Sequence, residues 1–141
     1  MTAALALGTA ATFVWLGMVL AISFLEAPLK FRAPGVDLRI GLGIGRLVFR
    51  TLNSVEAVLA AVLVIAVLAS GASARIVIPA VISVLILVVQ VAAVRPRLSR
   101  RSDRIVAGQD APRSRGHHAY VALEAVKVAA LLATGSMLLT P

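Results

Sequence analysis

Cysteine is absent from the 141 residues. That excludes disulfides, thiolate metal sites and lipidation through cysteine, and leaves the compartment open. Charge is scarce as well: 14% of residues are charged against 60% hydrophobic, and mean hydropathy is +1.00. A soluble domain of this size keeps roughly half its residues polar to face water, so the composition is that of an integral membrane protein. Catalytic machinery is missing too. There is no cysteine nucleophile, no H-E-x-x-H zinc helix and no serine, histidine and carboxylate cluster at evident spacing. The alternating Gly41, Gly43 and Gly45 follow no strand and do not make a dinucleotide fingerprint; close helix packing is the better reading. Neither an enzyme activity nor a cofactor is expected.

What the chain does contain is four apolar runs, residues 3–25, 48–69, 76–94 and 119–139. Each approaches the roughly 20 residues that a helix rising about 1.5 Å per residue needs to cross the hydrocarbon core. The expected fold is all-α: a single polytopic membrane domain of four transmembrane helices in an antiparallel bundle. The first run lacks a basic n-region and a clear A-x-A-like site, and is longer than a signal's apolar part, so it is expected to remain in the mature protein.

The formal charge of +8 is confined to particular places. Lys30, Arg32, Arg39, Arg46 and Arg50 cluster around the first connection, 26–47. Arg95, Arg97, Arg100, Arg101, Arg104, Arg113 and Arg115 fill the third, 95–118, whereas the second connection holds only Arg75 and the termini hold none. The positive-inside rule places both basic connections in the cytoplasm and both termini outside it. Arg46, Arg50, Arg95, Arg97, Arg100, Arg101 and Arg104 are the residues expected to face anionic headgroups, each worth about 1 kcal/mol near the surface. No aromatic interleaving or folded reader accompanies them, so nucleic acid is not an expected partner. The twelve-to-two excess of Arg over Lys, with abundant Ala, Val and Leu, points to a bacterial gene of high G+C content and hence to a bacterial inner membrane.

Polar residues inside the spans recur with helical spacing. His117, Tyr120, Glu124, Lys127 and Thr134 share one face of span 4, and Arg46, Arg50, Asn53 and Glu56 share one of span 2. Thr9, Thr12, Ser23, Glu26 and Lys30 line span 1, and Ser83 and Gln90 stand seven apart in span 3. Four such stripes imply a bundle whose polar faces converge. Glu56 is six residues beyond Arg50 and Glu124 seven beyond His117, so both carboxylates are expected roughly 10 Å in from the cytoplasmic boundary. Lys127 is expected to bridge Glu124 and Glu56, leaving one carboxylate in excess that would hold a proton or a cation.

The expected site is therefore a cytoplasm-facing polar pocket of Glu56, Glu124, Lys127, Asn53, Gln90, Tyr120, Glu26 and His117. The leading function is non-enzymatic: transport or binding of a small cation or amphiphile, with proton coupling. The alternative is a structural or accessory subunit whose buried ion pairs fix helix packing and whose Arg-rich connection holds anionic lipid or a protein partner. His117 and His118 point about 100° apart on a helix and no third histidine exists, so no metal site is expected. Trp15, near the middle of span 1, reads as a packing residue. Faces of small residues such as GLGIG are compatible with a homodimer.

The stretch SFLEAPLKFRAPGVDLRIGLGIGRLVFRTLNSVE, residues 23–56, resembles the first-connection region of small four-span bacterial membrane proteins of unknown function. In such proteins a span ending in a small residue, Pro and an aromatic, here APLKF at 27–31, leads into a Gly- and Arg-bearing start of span 2, here GIGRLVF at 43–49. The resemblance implies a four-helix membrane protein and supplies no activity.

Overall fold

The computed structural model describes residues 1–109 and 115–140, with backbone alone at 115 and 116. Asp110 and Arg113, counted above with the third connection, lie outside the described residues. The described chain is all-helical. Helix α1 runs Ala3–Arg32, α2 Leu38–Ser70, α3 Ala74–Val106 and α4 Arg115–Leu139. All four are long and apolar enough to span a membrane, which marks a multi-pass membrane protein.

Local chemistry sets the helix ends. The Thr2 hydroxyl accepts the Leu5 N–H at 3.2 Å at the start of α1. The Asp37 carboxylate caps α2, accepting the Ile40 N–H at 2.9 Å. Gly71, at φ 61°, ends α2 in the left-handed conformation that glycine adopts without steric penalty. The connections 26–47 and 95–118 are in good part helical: α1 continues to Arg32, α2 begins at Leu38 and α3 runs on to Val106. An apolar run reports the thickness of hydrocarbon to be crossed; the helix itself continues wherever its backbone bonds are satisfied.

Two of the helices carry a wide π turn, over Leu20–Glu26 in α1 and over Gln90–Val94 in α3. Each is followed within two residues by a proline, Pro28 and Pro96. A proline offers no N–H and its ring collides with the carbonyl four residues back; here those carbonyls belong to Phe24 and Ala92, inside the wide turns. The looser winding lets both helices pass their prolines without ending.

The helices close a ring: α1 packs on α2 and α4, and α3 packs on α4 and α2. Its centre is filled by Trp15 and Val19 from α1, Leu63 from α2 and Leu131 from α4, each 0% exposed. Large apolar side chains also cover the outside, with Leu68 at 77%, Leu47 at 69% and Ile65 at 64% exposure. Such a surface suits lipid and not water. Three polar stripe residues, Thr12, Ser83 and Thr134, are fully buried yet need no partner helix. Each hydroxyl donates to the carbonyl four residues back, at 2.7, 2.9 and 2.8 Å.

Gly41 and Gly45 let the end of α1 lie against α2. A Cβ at Gly41 would collide with the Phe31 ring, and one at Gly45 would stand 3.0 Å from Lys30 Nζ. Gly43 faces open space. The alternating glycines therefore do not form one smooth patch, since two are in contact and the third points away.

Candidate functional site

All four helices contribute to a buried ionic centre. Lys127 on α4 donates to Glu56 Oε1 on α2 at 2.5 Å and to Gln90 Oε1 on α3 at 2.8 Å. It is also 2.6 Å from Glu124 Oε1, one turn back on its own helix. An ammonium has three N–H donors and three acceptors surround this one. The Glu124 carboxylate further accepts Gln90 Nε2 at 2.8 Å and the Ser23 hydroxyl of α1 at 2.5 Å. Glu56 Oε1 accepts a second bond, from the Trp15 indole Nε1 of α1 at 2.9 Å. Glu56, Gln90, Glu124 and Lys127 are each exposed by 1% or less.

The π turns take part in this arrangement. Ser23 belongs to the wide turn of α1 and Gln90 opens the wide turn of α3. The same feature that accommodates each proline thus shapes the backbone that presents a polar ligand to Glu124. Lys127 reaches back because a helical side chain leans toward the N-terminus of its helix, so a residue one turn further along still meets Glu124.

Of the residues picked from sequence, Glu56, Gln90, Glu124 and Lys127 are bonded together directly. Asn53 and Tyr120 are one turn away on α2 and α4. Asn53 Oδ1 and the Tyr120 hydroxyl are both buried without a hydrogen-bond partner, as is Glu56 Oε2. Glu26 stands apart, 3.7 Å from Lys30. His117 meets His118 edge-on at 5.6 Å. Two contacts of the centre were not legible: Trp15 reads as packing because an indole is mostly hydrocarbon, and Ser23 was one small hydroxyl among several on its stripe. The centre contains two carboxylates and one ammonium, and among the described residues no group of three or more His, Asp or Glu could hold a metal ion.

Toward the basic end of the bundle lies a second layer, built on aromatic rings. Phe49 and Tyr120 meet edge to face at 5.8 Å. The Arg95 guanidinium lies over both, 4.6 Å from the Phe49 centroid and 5.5 Å from that of Tyr120, and Lys30 Nζ is 5.7 Å from Phe49. Arg46 pairs with Asp103 at 2.7 Å, joining α2 to the end of α3. Of the basic residues expected to face lipid, Arg50, Arg97, Arg100 and Arg104 are exposed, Arg101 is intermediate and Arg95 is half-buried.

A groove of about 400 Å³ between α2 and α3 is separate from all of this. Its walls, including Ala57, Ala60, Val64, Ile65, Val84 and Leu87, are wholly apolar, and no residue of the ionic centre lines it.

No protein-family model, curated protein or solved structure matches the chain. Its fold and site define a class, a multi-pass helical membrane protein with a buried ionic centre, and the function is argued from that centre.

Proposed function

We propose that the protein binds or moves a small cation or an amphiphile across a bacterial plasma membrane, and that the Glu56–Lys127–Glu124 centre exchanges a proton as it does so. The observation that carries this reading is Glu56 Oε2, a carboxylate oxygen that is buried and has no partner. Two carboxylates share one ammonium, so a fully ionised centre holds one negative charge in excess. Charge in apolar surroundings is neutralised or paired. A proton or a cation on Glu56 restores balance, and Glu56 Oε2 is the atom available to take it.

In the same proposal the four helices are antiparallel, with both termini outside the cytoplasm. The three-residue connection Gly71–Ala72–Ser73 between α2 and α3 supports a tight hairpin. Phe49 meets Tyr120 and Glu56 meets Lys127, seven residues further along each helix, which supports α2 and α4 running in the same direction. The distribution of Lys and Arg supports the basic end as the cytoplasmic one.

Proteoliposomes loaded with a pH-sensitive dye test the function. Addition of an amphiphilic cation such as tetraphenylphosphonium is expected to drive proton movement through the wild-type protein and not through Glu56→Gln. Wild-type traces identical to protein-free liposomes, across a panel of small and amphiphilic cations, would sink the proposal. One observation favours a second reading, a structural or accessory subunit. All three donors of Lys127 are engaged and the centre is enclosed, as expected of a rivet between helices. That reading requires no flux and a large loss of stability when the pairs are broken.

A further inference from the structure

We infer that Arg95, Lys30 and Tyr120 form a binding site for the phosphate group of an anionic phospholipid at the basic end of the bundle. The inference rests on the membrane character of the protein, and its count of charge takes the ionic centre as neutral, as in the proposed function.

The first observation is the state of Arg95. Its guanidinium carbon lies 4.6 Å from the Phe49 centroid and 5.5 Å from that of Tyr120, cation–π contacts that supply none of its five N–H donors with an oxygen acceptor. Among the described residues it has no carboxylate within ion-pair distance and donates no hydrogen bond. A half-buried guanidinium in that condition lacks an acceptor, and the fork of N–H groups matches the paired oxygens of a phosphate.

The second is the neighbourhood. Lys30 Nζ approaches the same Phe49 ring at 5.7 Å, so two cations flank one aromatic platform. Gly45 leaves the space in which the ammonium lies. Glu26, 3.7 Å from Lys30, offsets one of the two charges, which leaves one positive charge in excess, the complement of a phosphodiester monoanion. Tyr120, 6% exposed with its hydroxyl unpartnered, supplies a further donor in the same cluster.

The third observation selects a lipid over a free phosphate. Exposed apolar side chains adjoin the cluster along each contributing helix. Phe31 follows Lys30, Leu47 precedes Phe49, Val91 is one turn from Arg95 and Val121 follows Tyr120, with exposures of 40, 69, 45 and 46%. Acyl chains attached to a bound phosphate would lie against them.

The test uses the full chain in nanodiscs of phosphatidylcholine with phosphatidylglycerol, followed by native mass spectrometry. One phosphatidylglycerol is expected to stay bound under activation that strips phosphatidylcholine. Arg95→Gln is expected to reduce that retained fraction about tenfold, in line with loss of a charge-assisted bond. Arg95→Lys, which keeps the charge and loses the fork, is expected to fall between and serves as the reading if the Gln variant does not fold. Arg75→Gln, at an exposed position beside the connection between α2 and α3, should leave retention unchanged. Equal retention by wild type and both Arg95 variants overturns the site, and so does an equal loss from Arg75→Gln. Stabilisation of the wild-type protein by millimolar inorganic phosphate in phosphatidylcholine alone, absent in Arg95→Lys, would assign the site to a soluble anion and overturn the lipid assignment.

Discussion

Trp15 and Glu56, 41 residues apart in sequence, are joined by a hydrogen bond of 2.9 Å from the indole N–H to the carboxylate. The bond ties α1 to α2 inside the core and fills one acceptor position on a carboxylate that also meets Lys127. Burying an ionised side chain is tolerable only when partners replace its water, and Trp15 is one of those partners.

Removing partners one at a time should therefore show graded costs. Trp15→Phe keeps the ring and loses the donor, for an expected cost of about 1–3 kcal/mol. Lys127→Met leaves two buried carboxylates without their cation and should cost more, about 3–5 kcal/mol. The triple variant Glu56→Gln, Glu124→Gln and Lys127→Met should recover most of that loss. Denaturant unfolding in bicelles measures all three, and a Lys127→Met protein as stable as wild type would refute the account of the centre.

Gly41 and Gly43, two residues apart on α2, give a second contrast. Gly41→Ala places a methyl group where the Phe31 ring lies and should destabilise by about 1–3 kcal/mol. Gly43→Ala meets open space within a helix, where alanine is favoured over glycine by about 1 kcal/mol, and should be neutral or stabilising. Thermal unfolding of the two variants side by side decides the matter; equal effects would mean that α1 does not rest on α2 at Gly41.

The absence of cysteine makes the topology directly measurable. In intact cells, a membrane-impermeant maleimide should label Thr140→Cys and leave Gln109→Cys untouched until the cells are permeabilised. The reverse pattern would invert the proposed orientation, and labelling of both in intact cells would break the four-span topology.

Much of this site was readable because a polar residue in a membrane span has few places to go. Helical spacing put Glu56, Glu124, Lys127 and Gln90 on polar stripes, and the expectation that the stripes converge gathered them into one pocket. The stripes also gathered Thr12, Ser83 and Thr134, which spacing cannot tell apart from the site, because a hydroxyl can satisfy itself on its own backbone. The wide turns were invisible for a different reason. A projection at a constant 100° per residue loses phase across Leu20–Glu26 and Gln90–Val94, so it could not place Ser23 against Glu124. Arg95, read as a headgroup contact pointing to lipid, lies over two aromatic rings that are brought together from different helices. Only the tertiary structure juxtaposes them.

Lys127 stands on α4, whereas Trp15, Ser23, Glu56 and Gln90 all stand on helices made before it. During synthesis the first three spans therefore enter the membrane with a carboxylate and an amide that have no cation to meet. Until α4 arrives the nascent protein carries an uncompensated polar surface among its helices, the kind of surface that insertion and quality-control machinery can detect. The ammonium that completes the centre thus joins it only when the fourth span meets the other three.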